Sequence, residues 1–185
     1  MSARRVLVVG AGPAGLMAAA KAAEAGASVL LLEKMKQPGR KMMITGKGRC
    51  NITNVAPIAE IVKNIPGNGS FLYSVLHAFD NEDVRAFFRE LGVETKVERG
   101  GRVFPVSDRA ADAVEALVTH LHELGVKIER EARVARLLVE EGRAAGVLLA
   151  GGAEIRADAV VLAVGGASYP GTGSTGDGYE MARKV

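Results

Sequence analysis

Apolar residues along this chain fall into short unbroken runs and longer periodic stretches, separated by glycines. Val6-Leu7-Val8-Val9 and Ser28-Val29-Leu30-Leu31-Leu32 are such runs and predict strands of a buried parallel sheet. Between them the alanine-rich stretch Leu16 to Ala25 predicts a helix. Residues 70–92 predict helix again, broken near Asp80-Asn81 with one of these two as the cap. Val93 to Glu98 predicts a short strand before Gly100-Gly101. Ser107-Asp108-Arg109 opens a further helix, capped by Asp108 or Ser107. Its apolar face carries Ala110, Val114, Leu117, Val118 and Leu121, and Gly125 lies past its end. Val126-Lys127-Ile128-Glu129 predicts a third parallel strand. Three strands then follow closely, Val134 to Val139, Ala144 to Leu149 and Ile155 to Val164, with turns at Gly142 and Gly151-Gly152. The pattern predicts an α/β, Rossmann-like fold with an antiparallel β-meander in place of one crossover helix. Tyr179 to Val185 predict the opening turns of a helix with no end signal, so the chain is expected to be the N-terminal piece of a longer protein.

The turn after the first strand carries the chemistry. Gly10-Ala11-Gly12-Pro13-Ala14-Gly15 places glycine at three positions where a Cβ obstructs. Gly10 permits the sharp exit from the strand, Gly12 a close approach of backbone to a pyrophosphate, and Gly15 close packing of helix on strand. The helix start at Pro13 and Ala14 offers free N–H groups and the positive end of the helix dipole to phosphates. Glu33 ends the second strand, eighteen residues after Gly15, where an acid accepts from a ribose 2′-hydroxyl. Together these features predict a dinucleotide site. Arg4-Arg5 before an apolar stretch has the look of a secretory signal, but the glycines interrupt that stretch in dinucleotide phase and the segment runs on into helix and strand.

Composition narrows the partners. Among 185 residues, 24 basic and 21 acidic side chains leave a net charge of +3, too little for a long-range nucleic-acid field. No segment is apolar and long enough to span a membrane. The single cysteine, Cys50, has no disulfide partner and fits a reducing cytoplasm; it reads as a small packed residue rather than a redox thiol. His120 and His122, two apart on a helix, cannot share a metal, and His77 is solitary, so no metal site is expected. Lys34, Lys36, Arg40, Lys41, Lys47 and Arg49 crowd one loop that has no acid after Glu33. That loop is either a solvated basic segment or an anion-binding one, with Gly39, Gly46 and Gly48 permitting close backbone approach. Arg99 and Arg102, flanking two glycines, read equally as a solvated turn or a substrate contact.

Four motifs carry a resemblance over essentially the whole chain. They are the first glycine turn; Gly39-Arg40-Lys41 with Thr45 to Asn54; Gly101-Arg102-Val103-Phe104-Pro105; and Gly165-Gly166 through Ser174-Thr175-Gly176-Asp177-Gly178. By them the sequence resembles the BaiN-like (YhiN-type) family of FAD-dependent oxidoreductases, which includes aminoacetone oxidases. The resemblance implies residues 1–185 as the N-terminal part of a two-dinucleotide-fold FAD-binding domain, in a protein about twice this length. It implies that a substrate or cap domain and a returning C-terminal segment lie elsewhere. It places Arg40 and Lys41 near the ribose and phosphates, Thr45, Gly46, Cys50 and Asn51 near the isoalloxazine, the Val134 backbone at the adenine edge, and Lys34 with Gly165-Gly166 among the residues that bind the cofactor. The implied chemistry is hydride transfer at flavin N5, with NAD(P)H or a small organic substrate as donor. No residue is assigned as catalytic acid or base; one is expected outside this chain or on the Tyr169 to Thr175 loop. The Thr175 to Ala182 segment also resembles fumarate reductase and succinate dehydrogenase flavoproteins, ranked second because the loop after Glu33 differs. A non-catalytic dinucleotide-binding fragment is a further alternative, whereas the meander argues against a plain NAD-binding domain.

Overall fold

The computed structural model describes residues 3–184. In chain order these form β1 (Arg5–Val9), α1 (Pro13–Glu24), β2 (Ser28–Leu32), α2 (Arg40–Ile44), β3 (Thr53–Asn54), α3 (Ile58–Lys63), α4 (Tyr73–Ala78) and α5 (Asn81–Glu90). There follow β4 (Thr95–Glu98), β5 (Arg102–Pro105), α6 (Ala110–Glu123), β6 (Lys127–Glu129), β7 (Val134–Glu140), β8 (Arg143–Leu149), β9 (Glu154–Arg156), β10 (Ala159–Leu162) and α7 (Asp177–Ala182). The chain divides into two compact units, one formed by residues up to Lys41 and from Leu117 onward, the other by Met42–Ala116.

The first unit is built on a parallel sheet of order β10-β1-β2-β6. Its centre is β1, where Leu7 and Val8 are fully buried, as a strand covered on both faces requires. Helix α1 packs across β1, β2 and β10. A separate antiparallel sheet, β7-β8-β9, carries the chain from β6 towards β10. Leu7, Val9 and Leu32 join Val134, Val147 and Met181 in one apolar cluster.

Two expectations need correction in this unit. The strand expected over Ile155 to Val164 is two strands, β9 in the meander and β10 in the parallel sheet. The switch falls at Asp158, whose N–H donates to the Arg5 carbonyl while its carboxylate accepts from the Arg5 N–H. That pairing draws the chain from one sheet to the edge of the other. The last helix begins at Asp177, not Tyr179, because Gly176 in the left-handed region (φ 82°) turns the chain into it. Val185, the last residue of that expected helix, lies outside the described residues.

The second unit holds the antiparallel sheet β3-β5-β4 with α3, α4 and α5. Gly100-Gly101 is the turn of a hairpin between β4 and β5, which adds Arg102–Pro105 as a strand the periodicity did not reveal. Asp80 is the cap of α5: its carboxylate accepts from Glu82 and Asp83 N–H, and Asp83 answers by accepting from the Asp80 N–H. Asp108 does not cap α6. It sits at φ 56° with its carboxylate on Lys96 and Arg49, while Ser107 Oγ accepts from the Arg109 N–H at 3.4 Å. The basic segment after Glu33, expected as loop, contains α2 and a 3-10 turn over Thr45–Lys47; five residues are too few to show a helical repeat.

Candidate cofactor site

A cavity of about 560 Å³ opens at the carboxyl ends of β1, β2 and β10, within the first unit. This is where open parallel sheets bind ligands, and its size suits a large cofactor. Gly10, Gly12, Pro13, Ala14, Glu33, Lys34, Arg40, Lys41, Val134 and Gly165 all line it. Ten residues singled out from sequence thus meet at one place.

The three glycines of the turn have different surroundings. Gly10 has φ 98°, and a Cβ there would stand 2.7 Å from the Ala163 carbonyl oxygen. A Cβ on Gly15 would lie 1.7 Å from the Gly10 carbonyl oxygen, so only glycine brings α1 this close to the turn. Gly15 is therefore buried behind the cavity wall and does not line it. A Cβ on Gly12 would meet nothing within 4 Å; its direction is open space. The N–H groups of Gly12, Ala14 and Gly15 donate to no acceptor among the described residues. Three free donors at a helix start, facing open space, are what anion binding requires.

Glu33 is buried and does more than sequence suggested. Its Oε2 accepts from the Ala11 N–H at 2.7 Å and its Oε1 from the Met35 N–H at 2.8 Å. The acid at the tip of β2 thus ties the glycine turn to its neighbouring strand. Each oxygen keeps a second lone pair for a ligand hydroxyl.

The three cations differ in what they do. Lys34 donates to Asp177 Oδ2 at 2.7 Å and to Thr175 Oγ1 at 2.6 Å. Lys34, followed by the Thr175 hydroxyl, holds the Asp177 carboxyl below its ordinary range. Lys41 donates to the Ser168 carbonyl at 3.3 Å. Arg40 lines the cavity, and its side chain makes no hydrogen bond or ion pair among the described residues; a guanidinium fork of this kind suits a phosphate. Asp177, in the Thr175-Gly176-Asp177-Gly178 motif, lines the cavity and supplies the acid that the lysines after Glu33 lack nearby in the chain. Gly166 stands back from the cavity, its carbonyl accepting from the Gly176 N–H. Beside Val134 the β7–β8 ladder shifts register, so the strand is irregular at the cavity wall.

Thr45, Gly46, Cys50 and Asn51 belong to the second unit. Their segment is tightly bent: Gly46, Lys47, Gly48 and Cys50 all have φ between 59° and 85°. A Cβ on Gly46 would stand 2.5 Å from the Phe104 ring. The Arg49 guanidinium lies 4.1 Å from that ring's centroid and pairs with Glu98 at 2.8 Å and Asp108 at 3.4 Å. Asn51 is exposed.

Cys50 is 2% exposed, and burial pushes its thiol up, a shift that a hydrogen bond with Thr45 opposes. The native protein is therefore expected to resist a thiol-specific reagent and to react only once denatured. Because the folded value is the higher one, the stability this buried thiol contributes is complete below the ordinary thiol range. It fades as pH rises through the folded value. Rapid modification under native conditions would contradict this packing.

Fold and cavity together define a Rossmann-like dinucleotide-binding protein. The HI0933-like protein Rossmann domain is matched over residues 4–185, and the chain belongs to that family. It is 38% identical over 184 residues to a 3-dehydro-bile acid delta(4,6)-reductase of Clostridium scindens, covering 98% of this chain and 44% of that protein. It is 32% identical over 178 residues to a ribosomal RNA dihydrouridine synthase of Escherichia coli, covering 96% of this chain and 43% of that one. The chain thus spans somewhat less than half the length of these relatives. Among solved structures, Mycobacterium smegmatis Sdh1 shares the fold (TM-score 0.69, 24% identity, all of this chain and 39% of that one). CtdE in complex with FAD matches at a TM-score of 0.52 with 25% identity, over 89% of this chain and 39% of that one. The succinate dehydrogenase likeness is one of fold, while the family is the HI0933-like one. No helix among the described residues is long and apolar enough to cross a membrane.

Proposed function

We propose that residues 1–185 form the N-terminal part of the FAD-binding domain of an oxidoreductase that moves hydride between FAD and NAD(P)H or a small organic substrate. The observation that carries this reading is the open cradle at Gly12 with its three unpartnered N–H donors, set in the same cavity as Glu33 and Arg40. When bound, FAD supplies the two-electron chemistry. The chain's own part is to hold it: the α1 donors and Arg40 take the pyrophosphate, Glu33 accepts from the ribose, and the Val134 backbone faces the adenine edge. Gly165, three residues past β10, supplies backbone on the cavity wall, and Gly166 braces the loop behind it. Thr45, Gly46, Cys50 and Asn51 are assigned to the isoalloxazine through the family resemblance.

Both relatives are named for reducing a carbon–carbon double bond, in a bile acid and in a uridine. We take the substrate class to be a carbon–carbon double bond conjugated to a carbonyl. The net charge of +3 favours a small molecule over an RNA, and the lone Cys50 fits a cytoplasmic setting. The test is to add FAD to the purified protein and follow flavin absorbance, then add NADPH without oxygen. Uptake of FAD followed by bleaching supports the reading. Bleaching by a saturated ketone but not by NADPH makes the saturated compound the donor and the conjugated enone its product. A protein that takes up no FAD overturns it.

A further inference from the structure

After β10 the chain makes a loop from Gly166 to Gly176 whose two ends are tied by the Gly176 N–H to Gly166 carbonyl bond, at 3.1 Å. Thr172, Gly173 and Ser174 of this loop line the cavity. A loop of this length with its ends together is an Ω-loop, a class that often carries function. It turns through left-handed residues at Tyr169 (φ 56°), Gly173 (φ 97°) and Gly176 (φ 82°). Ser168 to Gly171 are exposed, so little apolar packing holds the loop down.

Two lysines hold it instead. Lys34 pins the returning end through Thr175 Oγ1 and Asp177 Oδ2, and Thr175 Oγ1 in turn donates to Asp177 Oδ1 at 2.7 Å. Lys41 pins the outgoing end through the Ser168 carbonyl. Both lysines come from the segment after β2, and both line the cavity that the loop borders. The Lys34–Asp177 pair is only 21% and 19% exposed, so solvent screens it less than an open surface pair.

We propose that the loop 166–176 is a gate on the cofactor cavity, held shut by Lys34 and Lys41, and that its opening sets the rate of cofactor exchange. Opening breaks the lysine contacts at the two ends and swings the loop about Gly165 and Gly176, both already at positive φ. The inference rests on the reading of the cavity as an FAD site.

Thr175 separates a gate from a direct contact, because it belongs to the Lys34 pin without lining the cavity. In Thr175→Val the association and dissociation rate constants for FAD should rise together, each by about threefold to tenfold, with Kd unchanged. T175S keeps the hydroxyl and should restore the parental rates; T175A should match T175V. Stopped-flow flavin fluorescence measures both constants. A rise in dissociation alone, or rates that do not change, would overturn the gate while leaving the cofactor reading intact. A parent protein that takes up no FAD would instead overturn the cofactor reading, and the gate with it.

Discussion

Replacing Gly12 by alanine is expected to leave the protein folded while FAD affinity falls by about a hundredfold, on the order of 3 kcal/mol. At φ −74° the backbone of Gly12 suits any residue, and the added methyl meets no protein atom within 4 Å. The cost to the fold is that of a poorer helix cap, within about 1 kcal/mol. The methyl does, however, occupy the cradle in front of the free donors, where a pyrophosphate must lie. Gly15→Ala is the contrasting case. Its methyl would fall 1.7 Å from the Gly10 carbonyl oxygen, a backbone atom with nowhere to go. Parting α1 from the turn is expected to cost about 4 kcal/mol or more, enough to unfold a marginal domain. Circular dichroism and thermal melting read the fold, and flavin fluorescence reads the cofactor. A folded G12A protein that keeps its full affinity for FAD would remove the cradle from the site.

The two glycines also show how far the sequence could be read. Their spacing between an apolar run and an alanine-rich stretch announced strand, turn and helix, because each position answers to one local steric demand. Val126 to Glu129 was legible as a parallel strand and Val134 to Val139 and Ala144 to Leu149 as paired strands of a meander for the same reason: period and turn residues are local. What escaped notice depends on contacts between residues far apart in the chain. Asp158 divides the segment from Ile155 to Val164 into two strands by bonding to Arg5, 153 positions away. Asp108, next to a helix start, looks like a cap until Arg49 and Lys96 claim its carboxylate. Lys34 reads as one cation of a basic loop, and only the fold sets Asp177, 143 positions on, against it. The basic loop suggested an anion site by charge alone. The structure divides its cations among Arg40, which is uncommitted, Lys34 and Lys41, which hold a loop, and Arg49, which braces a different unit.

Glu33 carries the second large expectation, since it serves the fold and the cofactor through one carboxylate. Glu33→Ala removes the acceptor of the Ala11 and Met35 N–H groups and leaves a buried donor unpaired. Stability without cofactor should drop by about 2–4 kcal/mol, because these are hydrogen bonds to a charged acceptor. Glu33→Gln keeps the shape and one acceptor oxygen but turns an NH2 group against the other N–H donor. Its cost should be about half as large, roughly 1–2 kcal/mol. If the same oxygens also accept from the adenine-side ribose, both variants lose a further 1–3 kcal/mol or so in FAD binding, beyond the loss in stability. Denaturant unfolding of the cofactor-free protein measures the first effect, and FAD titration under folding conditions measures the second. A Gln variant as stable as the parent would show that the tie between the glycine turn and β2 contributes little. A destabilised variant that still binds FAD as tightly as the parent would give Glu33 to the fold alone, and the ribose would need another acceptor on the cavity wall.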